Sequence, residues 1–475
     1  MKSFGNIAKD GQVRAVASGA LTDGGSVVIN SNGTVSAPFT NNYVFNAGST
    51  FTPSIATNGS GTFLLLYKDG GDSNKGKVIA GTISGSTVTF GTAVEVVAEM
   101  KSDEQSSTVV YDPDNSKFVI VYSDDGAGGY LTTRVVTVSG TTPSLGTAVV
   151  VDSKNVIASA AVYDTSADKI VIGWRGHTND LVAGIVGTVS GTSISYGSAT
   201  TVASKRPNSM SAVYDTNADK TVFFYRDDAD TADGYYVVCT VSGTSISGGS
   251  TAAFNAADTN SISATYDSTA QKIVIAYQDV GNSNYGSAIV GTVSGTSMTF
   301  GSEINFSGTS YVGSVRAQYD STNNKTFIFY DKADSAMTAL IGTVSGTSIS
   351  VGSENTISTG NASYTSSAFS TDSGKILLVY RDNANSNYGT LDVIDSSFSS
   401  GNLTSENFIG FSDGAFADGQ SAVINTANTI DRNQTSLTAG QTYFVTSTGA
   451  LSLTAGSPSV TAGTAISATE IIVKG

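Results

Sequence analysis

The chain has few of the residues that form disulfides, bind metal ions or act in catalysis. Among 475 residues it has one cysteine, one histidine, one tryptophan and six prolines. A single cysteine excludes an intrachain disulfide, so packing and hydrogen bonds must hold the fold. The lone histidine, His177, has no second His and no Cys at metal-binding spacing. A zinc site or a His-dependent nucleophile is therefore not expected.

Charge is also scarce, and its balance is acidic. Lys and Arg number 24 against 39 Asp and Glu, which gives a formal net charge of -15. Without clustered basic residues, neither a nucleic-acid partner nor an anionic membrane surface is expected. The sequence has no run of 18 apolar residues and no signal-peptide core in its first residues. We therefore expect no membrane insertion and no signal peptide, with synthesis in a cytoplasm.

What the chain does have is a repeat, clearest in residues 272–301, KIVIAYQDVGNSNYGSAIVGTVSGTSMTFG. KIVIAY and AIVGTV are short β-branched runs joined by a polar loop, the pattern of paired strands. Ser294-Gly295 then forms a tight hairpin signal before TSMTF. The preceding SISATYD is another extended run. One unit is therefore predicted to be four antiparallel strands, which we label A to D.

Two landmarks count the copies of this unit. A Ser-Gly turn recurs in six copies and is replaced in the last by Asp395-Ser396-Ser397. The aromatic that ends strand B recurs seven times, at Tyr67, Tyr122, Trp174, Tyr225, Tyr277, Tyr330 and Tyr380. A period of about 50 residues with four strands is typical of propeller blades. The sequence therefore predicts an all-β protein with a seven-bladed β-propeller over residues 41–407.

The two ends of the chain resemble each other. GALTDGGSVVIN, residues 19–30, matches GAFADGQSAVIN, residues 414–425. The C-terminal part adds four short strand signals set off by Gly, Ser and Thr turns. We predict that the N-terminal segment, residues 1–40, and the C-terminal segment, residues 408–475, form one small discontinuous β domain.

Carboxylates collect in the loops between strands B and C. These loops begin at Asp69, Asp227, Asp279 and Asp382. Oxygen ligands of this kind suit Ca²⁺, so any calcium is expected here and not at the Ser-Gly hairpins. The alternative is structural, since Asp and Asn are ordinary turn residues that cap their own backbone. A chelator that leaves the melting temperature unchanged would remove the metal interpretation.

The third unit departs from the others at Trp174-Arg175-Gly176-His177. An indole beside polar donors could stack on a sugar, and variable loops on a rigid scaffold are where ligands bind. The aromatic and basic groups suited to that role on the B–C face are Trp174, Arg175, His177, Tyr235, Tyr285 and Tyr388. The alternative is that these residues pack on neighbouring blades or subunits, as Trp174 would by standing where other units have Tyr.

No motif for catalysis is evident. A ring of Asp could bring two carboxylates to hydrolytic spacing, but the sequence has no S-x-D-x-G-x-T-W box of the sialidase kind. We therefore predict that the protein is not an enzyme and needs no cofactor, with Ca²⁺ as the one ion considered.

Three stretches together resemble tail-fibre and other virion proteins of tailed bacteriophages, especially marine ones. They are the opening ASGALTDGGSVVINSNGTVS, the repeat GTVSGTSISYGSATTV with YDTSADKIVIGW, and the closing NQTSLTAGQTYFVTSTGALSLTAGSPSVTAGTAISATEIIVKG. The resemblance implies a virion structural protein, a tail-fibre or appendage component with a host-attachment role. It implies other virion proteins and further copies of the chain as partners, and a host surface glycan or receptor as target. The alternative function is a free carbohydrate-binding propeller or a glycan hydrolase.

Overall fold

The computed structural model of the protein is built almost entirely of β-strands. It describes residues 11–17, 21–30, 33–37, 42–102, 107–176, 180–229, 231–332, 336–358, 360–395, 403–404, 406–417, 419–446, 449–456 and 459–474. Within them, the one helical element is a 3₁₀ turn, Val280–Asn282. No helix among these residues is long and apolar enough to cross a membrane.

The strands are numbered here in chain order. The first four are β1 (Gln12–Val16), β2 (Ser26–Ile29), β3 (Val35–Ser36) and β4 (Tyr43–Asn46). Blades 1 to 3 contain β5 (Thr50–Thr57), β6 (Thr62–Asp69), β7 (Lys75–Ser84), β8 (Thr87–Phe90), β9 (Val94–Val97), β10 (Ser107–Asp112), β11 (Lys117–Asp124), β12 (Tyr130–Ser139), β13 (Thr142–Leu145), β14 (Val149–Asn155), β15 (Ser159–Asp164), β16 (Lys169–Gly176), β17 (Leu181–Ser190), β18 (Ser193–Tyr196) and β19 (Thr200–Ala203).

The later strands follow the same repeat and then leave it. Blades 4 to 7 contain β20 (Pro207–Asp215), β21 (Lys220–Asp227), β22 (Asp233–Ser242), β23 (Ser245–Asp267), β24 (Lys272–Asp279), β25 (Tyr285–Ser294), β26 (Ser297–Phe300), β27 (Ile304–Asn305), β28 (Val312–Asp320), β29 (Lys325–Lys332), β30 (Ala336–Ser345), β31 (Ser348–Val351), β32 (Asn355–Ser358), β33 (Ala362–Ser370), β34 (Lys375–Asp382) and β35 (Tyr388–Ile394). The last strands are β36 (Phe408–Ser412), β37 (Ser421–Asn425), β38 (Ile430–Asp431), β39 (Thr442–Val445), β40 (Leu451–Ser452), β41 (Thr461–Ala465) and β42 (Ile471–Val473).

These strands form a seven-bladed β-propeller, as the repeat predicts. In blade 3, strands A, B and C are β15, β16 and β17, and each pairs antiparallel with the next. Strand D has two segments, β18 and β19, that both pair with β17. The sequence predicts one strand D per blade and does not reveal this division. In blades 4 and 5 the single long strand β23 serves as strand D of one and strand A of the next.

The blades form a closed ring with strand A on the inside. Strand A of every blade lies against strand A of both neighbouring blades, including β33 against β5. The hydrophobic core lies between blades, because each buried cluster joins residues of two adjacent sheets. The aromatic at the end of strand B takes part in this packing, and Tyr225, Tyr277, Tyr330 and Tyr380 are fully buried.

Hydroxyl side chains accept hydrogen bonds from the backbone N–H groups at the inner edge of the ring. Strand A has one edge with no strand partner, and its unpaired N–H groups must find acceptors. The Oγ atoms of Ser211 and Ser263 accept from the next blade, from Ala264 N at 3.1 Å and Ala317 N at 3.0 Å. Ser54 accepts from Val109 N at 3.0 Å in the same way. This explains why strand A is rich in Ser and Thr although it is central.

Strand β4, from the N-terminal side, closes the ring. The last blade has three strands of its own, β33, β34 and β35, and β4 pairs with β35 as its fourth. The Ser-Gly turn is missing from the last copy because strand D of that blade comes from the other end of the chain. Asn46 and Thr50 repeat the bond of Asn255 and Thr259, with Nδ2 to Oγ1 distances of 3.0 and 2.9 Å.

The two ends of the chain form the predicted discontinuous β domain. β1 and β2 join β36 and β37 in one sheet of order β1-β37-β36-β2-β3, and a second sheet has the order β38-β42-β41-β39-β40. The chain divides into two compact units, one of Met1–Asn42, Ser84–Val88 and Ser399–Gly475 and the other of Tyr43–Ile83 and Thr89–Phe398. The bounds predicted from sequence, 40 and 408, differ from these by two and nine residues.

Candidate binding site

The candidate site is built around the indole of Trp174, which stands where the other six blades have Tyr. Trp174 is near the end of β16 and is 2% exposed. Its Nε1 donates to Asp152 Oδ2 at 2.9 Å, and Asp152 lies on β14 of the preceding blade. Trp174 thus packs between blades 2 and 3 and ties them together through a charge-assisted hydrogen bond.

In blades 5 and 6 the aromatic residue equivalent to Trp174 has a different hydrogen-bond partner. The hydroxyls of Tyr277 and Tyr330 donate to glutamates of their own blades, Glu303 at 2.8 Å and Glu354 at 2.7 Å. Each glutamate follows a Gly-Ser pair after the first segment of strand D. In blade 3 the residue after Gly-Ser is Ala199. The carboxylate that would cover the aromatic from its own blade is therefore absent.

The result is a pocket with a volume of about 150 Å³, which we call the blade 3 pocket. Its walls combine indole and aliphatic surface with one carboxylate and two exposed hydroxyl residues. The lining residues are Asp152, Trp174, Gly176, Leu181, Ala183, Ala199, Thr200 and Thr201. Apolar surface beside a few hydrogen-bonding groups is what small-ligand sites generally offer.

Arg175 is not a free cation for a ligand. Its side chain is 8% exposed and lies between two carboxylates, with Nε 3.2 Å from Asp180 Oδ1 and Nη1 3.3 Å from Asp228 Oδ2. Arg206 and Arg226 extend the pairing, to Asp180 at 3.5 Å and to Asp228 at 3.6 Å. Arg226 also pairs with Asp258 at 3.5 Å, so this network links the B–C loops of blades 3 and 4 and pairs each of its three arginines with a carboxylate.

Tyr235 is half-buried on β22 and takes part in a cation–π contact. Lys205 Nζ lies 4.1 Å from the centroid of its ring and 2.9 Å from Asp227 Oδ2. Burial raises the pKa of Asp227, but the hydrogen bonds from Lys205 and from the backbone N–H of Arg206 outweigh it, so the pKa lies below its ordinary value. Asp227 is thus a paired carboxylate inside the protein.

The remaining predicted residues are not brought to this site. Tyr285 and Tyr388 are half-buried first residues of strand C in blades 5 and 7, which are not adjacent. Tyr285 makes a backbone bridge to Tyr311, whose side chain is 44% exposed. His177 lies outside the described residues.

The four aspartates that begin the acidic loops are buried, and their carboxylates accept hydrogen bonds from backbone N–H groups of the same loops. Asp69 accepts from Gly71 N at 3.0 Å and pairs with Lys77 Nζ at 2.9 Å. Asp382 accepts from Ala384 N, and Asp279 from Asn282 N. Burial is the main reason that the pKa of Asp279 is raised. No group of three or more His, Cys, Asp or Glu side chains able to hold a metal ion occurs in the part of the chain that the structure describes.

The comparisons with known proteins give the fold. No protein-family model and no curated protein matches the chain. A solved structure of a protein from Lactobacillus plantarum is similar at 11% identity and a TM-score of 0.50, over 77% of this chain and 98% of that chain. AofleA from Arthrobotrys oligospora is similar at 11% identity and a TM-score of 0.42, over 73% of this chain and 96% of that chain. A mutant of Aleuria aurantia lectin in complex with Fucα1-6GlcNAc is similar at 11% identity and a TM-score of 0.38, over 61% of this chain and 96% of that chain.

Sequence reasoning identified Trp174 but missed its partners. Asp152 belongs to a different blade, so the pair is set by how adjacent sheets pack and not by any local spacing. The sequence signal for the pocket was the combination of Trp174 with Ala199, because blades 1 and 2 also have Ala at the position of Ala199 but Tyr at that of Trp174.

Proposed function

We propose that this β-propeller protein is a non-enzymatic carbohydrate-binding protein, with its sugar site in the blade 3 pocket. The observation that carries the proposal is that one pocket joins the Trp174 indole, the Asp152 carboxylate and the hydroxyls of Thr200 and Thr201. A sugar presents both C–H surface and hydroxyl groups, so it needs an apolar floor together with acceptors and donors.

Each lining group has a role in this proposal. Asp152 accepts from sugar hydroxyls while it continues to fix the Trp174 indole. Thr200 and Thr201 are exposed and supply hydroxyls that both donate and accept. Leu181 and Ala183, on strand β17 beside β16, extend the apolar surface. The ligand expected is a neutral sugar residue, since Asp152 would repel an anionic one.

The test is to fill the pocket as blades 5 and 6 fill theirs. Ala199→Glu places a carboxylate where those blades have Glu303 and Glu354, so the fold should tolerate it. We expect at least a tenfold loss of binding on a glycan array and in titration calorimetry with the best glycan. Ala148→Glu, which follows Gly146-Thr147 in blade 2, adds the same charge away from the pocket and should leave binding unchanged. Equal binding by both variants, or no glycan bound by the wild type, would refute the proposal.

A second proposal, compatible with the first, is that the protein is a virion component of a tailed bacteriophage. It rests on the sequence resemblance and on the terminal unit, which carries four large hydrophobic side chains at the surface. They are Val16, Leu453, Ile466 and Ile472, between 39% and 54% exposed. Apolar side chains that meet in one exposed patch suit docking to other virion proteins. Mass spectrometry of purified particles should detect the chain at a fixed ratio to the tail proteins, and its absence would refute this proposal.

A further inference from the structure

The axis of the propeller holds a cavity of about 220 Å³, which we call the central cavity. It is lined by strand A of all seven blades. The lining is mainly Ser, Thr and Ala, and no Asp or Glu belongs to it. One lining residue, Arg316 of blade 6, carries a charge.

Arg316 breaks a sevenfold pattern. The residue of strand A that pairs with the position before the strand B aromatic is equivalent in every blade. The seven pairs are Ser54↔Leu66, Thr108↔Val121, Ala160↔Gly173, Ser211↔Phe224, Ser263↔Ala276, Arg316↔Phe329 and Ser366↔Val379. All seven strand A residues line the central cavity. Six are small, so the guanidinium of Arg316 is the one large polar group in this ring.

The guanidinium is incompletely paired. Its Nε donates to Thr365 O at 3.0 Å, and Nη2 donates to the same carbonyl. Nη1 has no hydrogen-bond partner and the group has no carboxylate partner among the described residues. Burial lowers the pKa of Arg316 to about 10, so the group is still charged at neutral pH. Arg316 is half-buried, and a cation in such a setting without a counter-charge is costly, more so for having only one carbonyl as its acceptor.

Other donors surround the same space. Thr108, Thr265 and Ser366 are half-buried hydroxyl residues that also line the central cavity. Strand A also carries left-handed residues at equivalent bulges, such as Thr52 with φ 43° and Tyr364 with φ 54°. Bulges of this kind re-aim side chains next to functional sites. The central cavity thus offers one fixed positive charge and several hydroxyl donors, with no competing carboxylate in its lining.

We propose that the central cavity binds a small oxyanion, a carboxylate, phosphate or sulfate group, through the Arg316 guanidinium and the surrounding hydroxyls. A guanidinium presents a planar fork of donors that matches such groups. The volume admits an inorganic oxyanion or a short carboxylic acid but not a polymer. This site is independent of the blade 3 pocket.

The test uses the purified full-length protein with sodium phosphate, sulfate and acetate, each against sodium chloride at matched ionic strength. We expect at least one oxyanion to raise the melting temperature by about 2 °C or more at saturation, because a ligand of the native state stabilises it. Calorimetry should then show one site per chain. Arg316→Ser installs the residue that four other blades have at this position, so it should fold and should lose the response. Arg316→Lys should keep a weakened response, since it keeps the charge but not the fork.

Three results would overturn the proposal. The first is a wild-type melting temperature that follows ionic strength alone. The second is an equal response in Arg316→Ser, which would place any anion elsewhere. The third is Arg316→Ser folding with lower stability while neither protein binds the oxyanions, which would make Arg316 a structural donor to Thr365 only.

Discussion

At the scale of single residues, Asp392 is the carboxyl most altered by the fold. It lies on β35 with 3% of its surface exposed, and the Tyr380 hydroxyl donates to its Oδ2 at 2.9 Å. Burial, together with the nearby Asp382, raises the pKa of Asp392 to about 8, although the hydrogen bond from Tyr380 opposes the shift. A buried carboxyl of this kind faces no solvent and serves the packing of blade 7.

The raised pKa makes stability depend on pH. Between the ordinary value of 3.8 and about 8, folded Asp392 holds a proton that the unfolded chain has lost, so stability should fall as pH rises through this range. Asp392→Asn should flatten the decline in melting temperature between pH 5 and pH 8. Asp372→Asn, the same substitution at an exposed position, should keep the wild-type slope. Parallel curves for all three proteins would contradict the assignment.

At the scale of elements, the Ser-rich strand A is the unusual one. Ser263 is buried and its Oγ accepts from Ala317 N, which belongs to the next blade. Ser263→Ala would leave that N–H unpaired, at a cost of about 1–3 kcal/mol. Urea unfolding should show this loss, whereas exposed Ser297→Ala should change the free energy of unfolding by less than about 0.5 kcal/mol. Equal stability of the two variants would mean that the inner edge has other acceptors.

The Ser-Gly hairpins make a second prediction about elements. Gly295 has φ +62°, and a Cβ there would meet nothing within 4 Å. The cost of Gly295→Ala should therefore come from backbone conformation alone, about 1 kcal/mol, and Ser294→Ala should cost less. A cost well above 2 kcal/mol, measured by urea unfolding, would indicate an unseen steric contact.

The sequence predicts elements well where the repeat is regular and poorly where blades meet. Strands A to C, the hairpins and the seven aromatic landmarks follow from local alternation and turn chemistry. The division of strand D, the Asp152 partner of Trp174 and the inward Arg316 depend on how one sheet lies against another. Alignment of the blades would have found Arg316, since it stands among Ser, Thr and Ala.

At the scale of the whole propeller, the side chain of Phe45 lies at the junction that closes the ring. Phe45 on β4 contacts Tyr67 of blade 1 edge-on, with ring centroids 5.2 Å apart, and a Cβ on Gly389 of blade 7 would lie 2.5 Å from its ring. Phe306 makes the same contacts at the junction of blades 5 and 6. Its ring centroid lies 5.2 Å from that of Tyr330, and its ring packs against Gly286. The closing strand therefore copies an ordinary blade junction, and Phe45-Asn46 repeats Phe254-Asn255 in sequence.

This equivalence permits a matched test of closure. Phe45→Ala and Phe306→Ala should each cost about 3–5 kcal/mol, the usual loss for a buried Phe. Phe306→Ala should raise amide hydrogen exchange locally, in β25 and β29. Phe45→Ala should raise amide hydrogen exchange in β35 and β5. Because β4 is joined to the ring through short strands only, this variant should also let blades 7 and 1 separate at a free-energy cost below that of global unfolding. Closure would not depend on Phe45 if exchange in β35 and β5 stayed at the wild-type rate while Phe306→Ala showed its local effect.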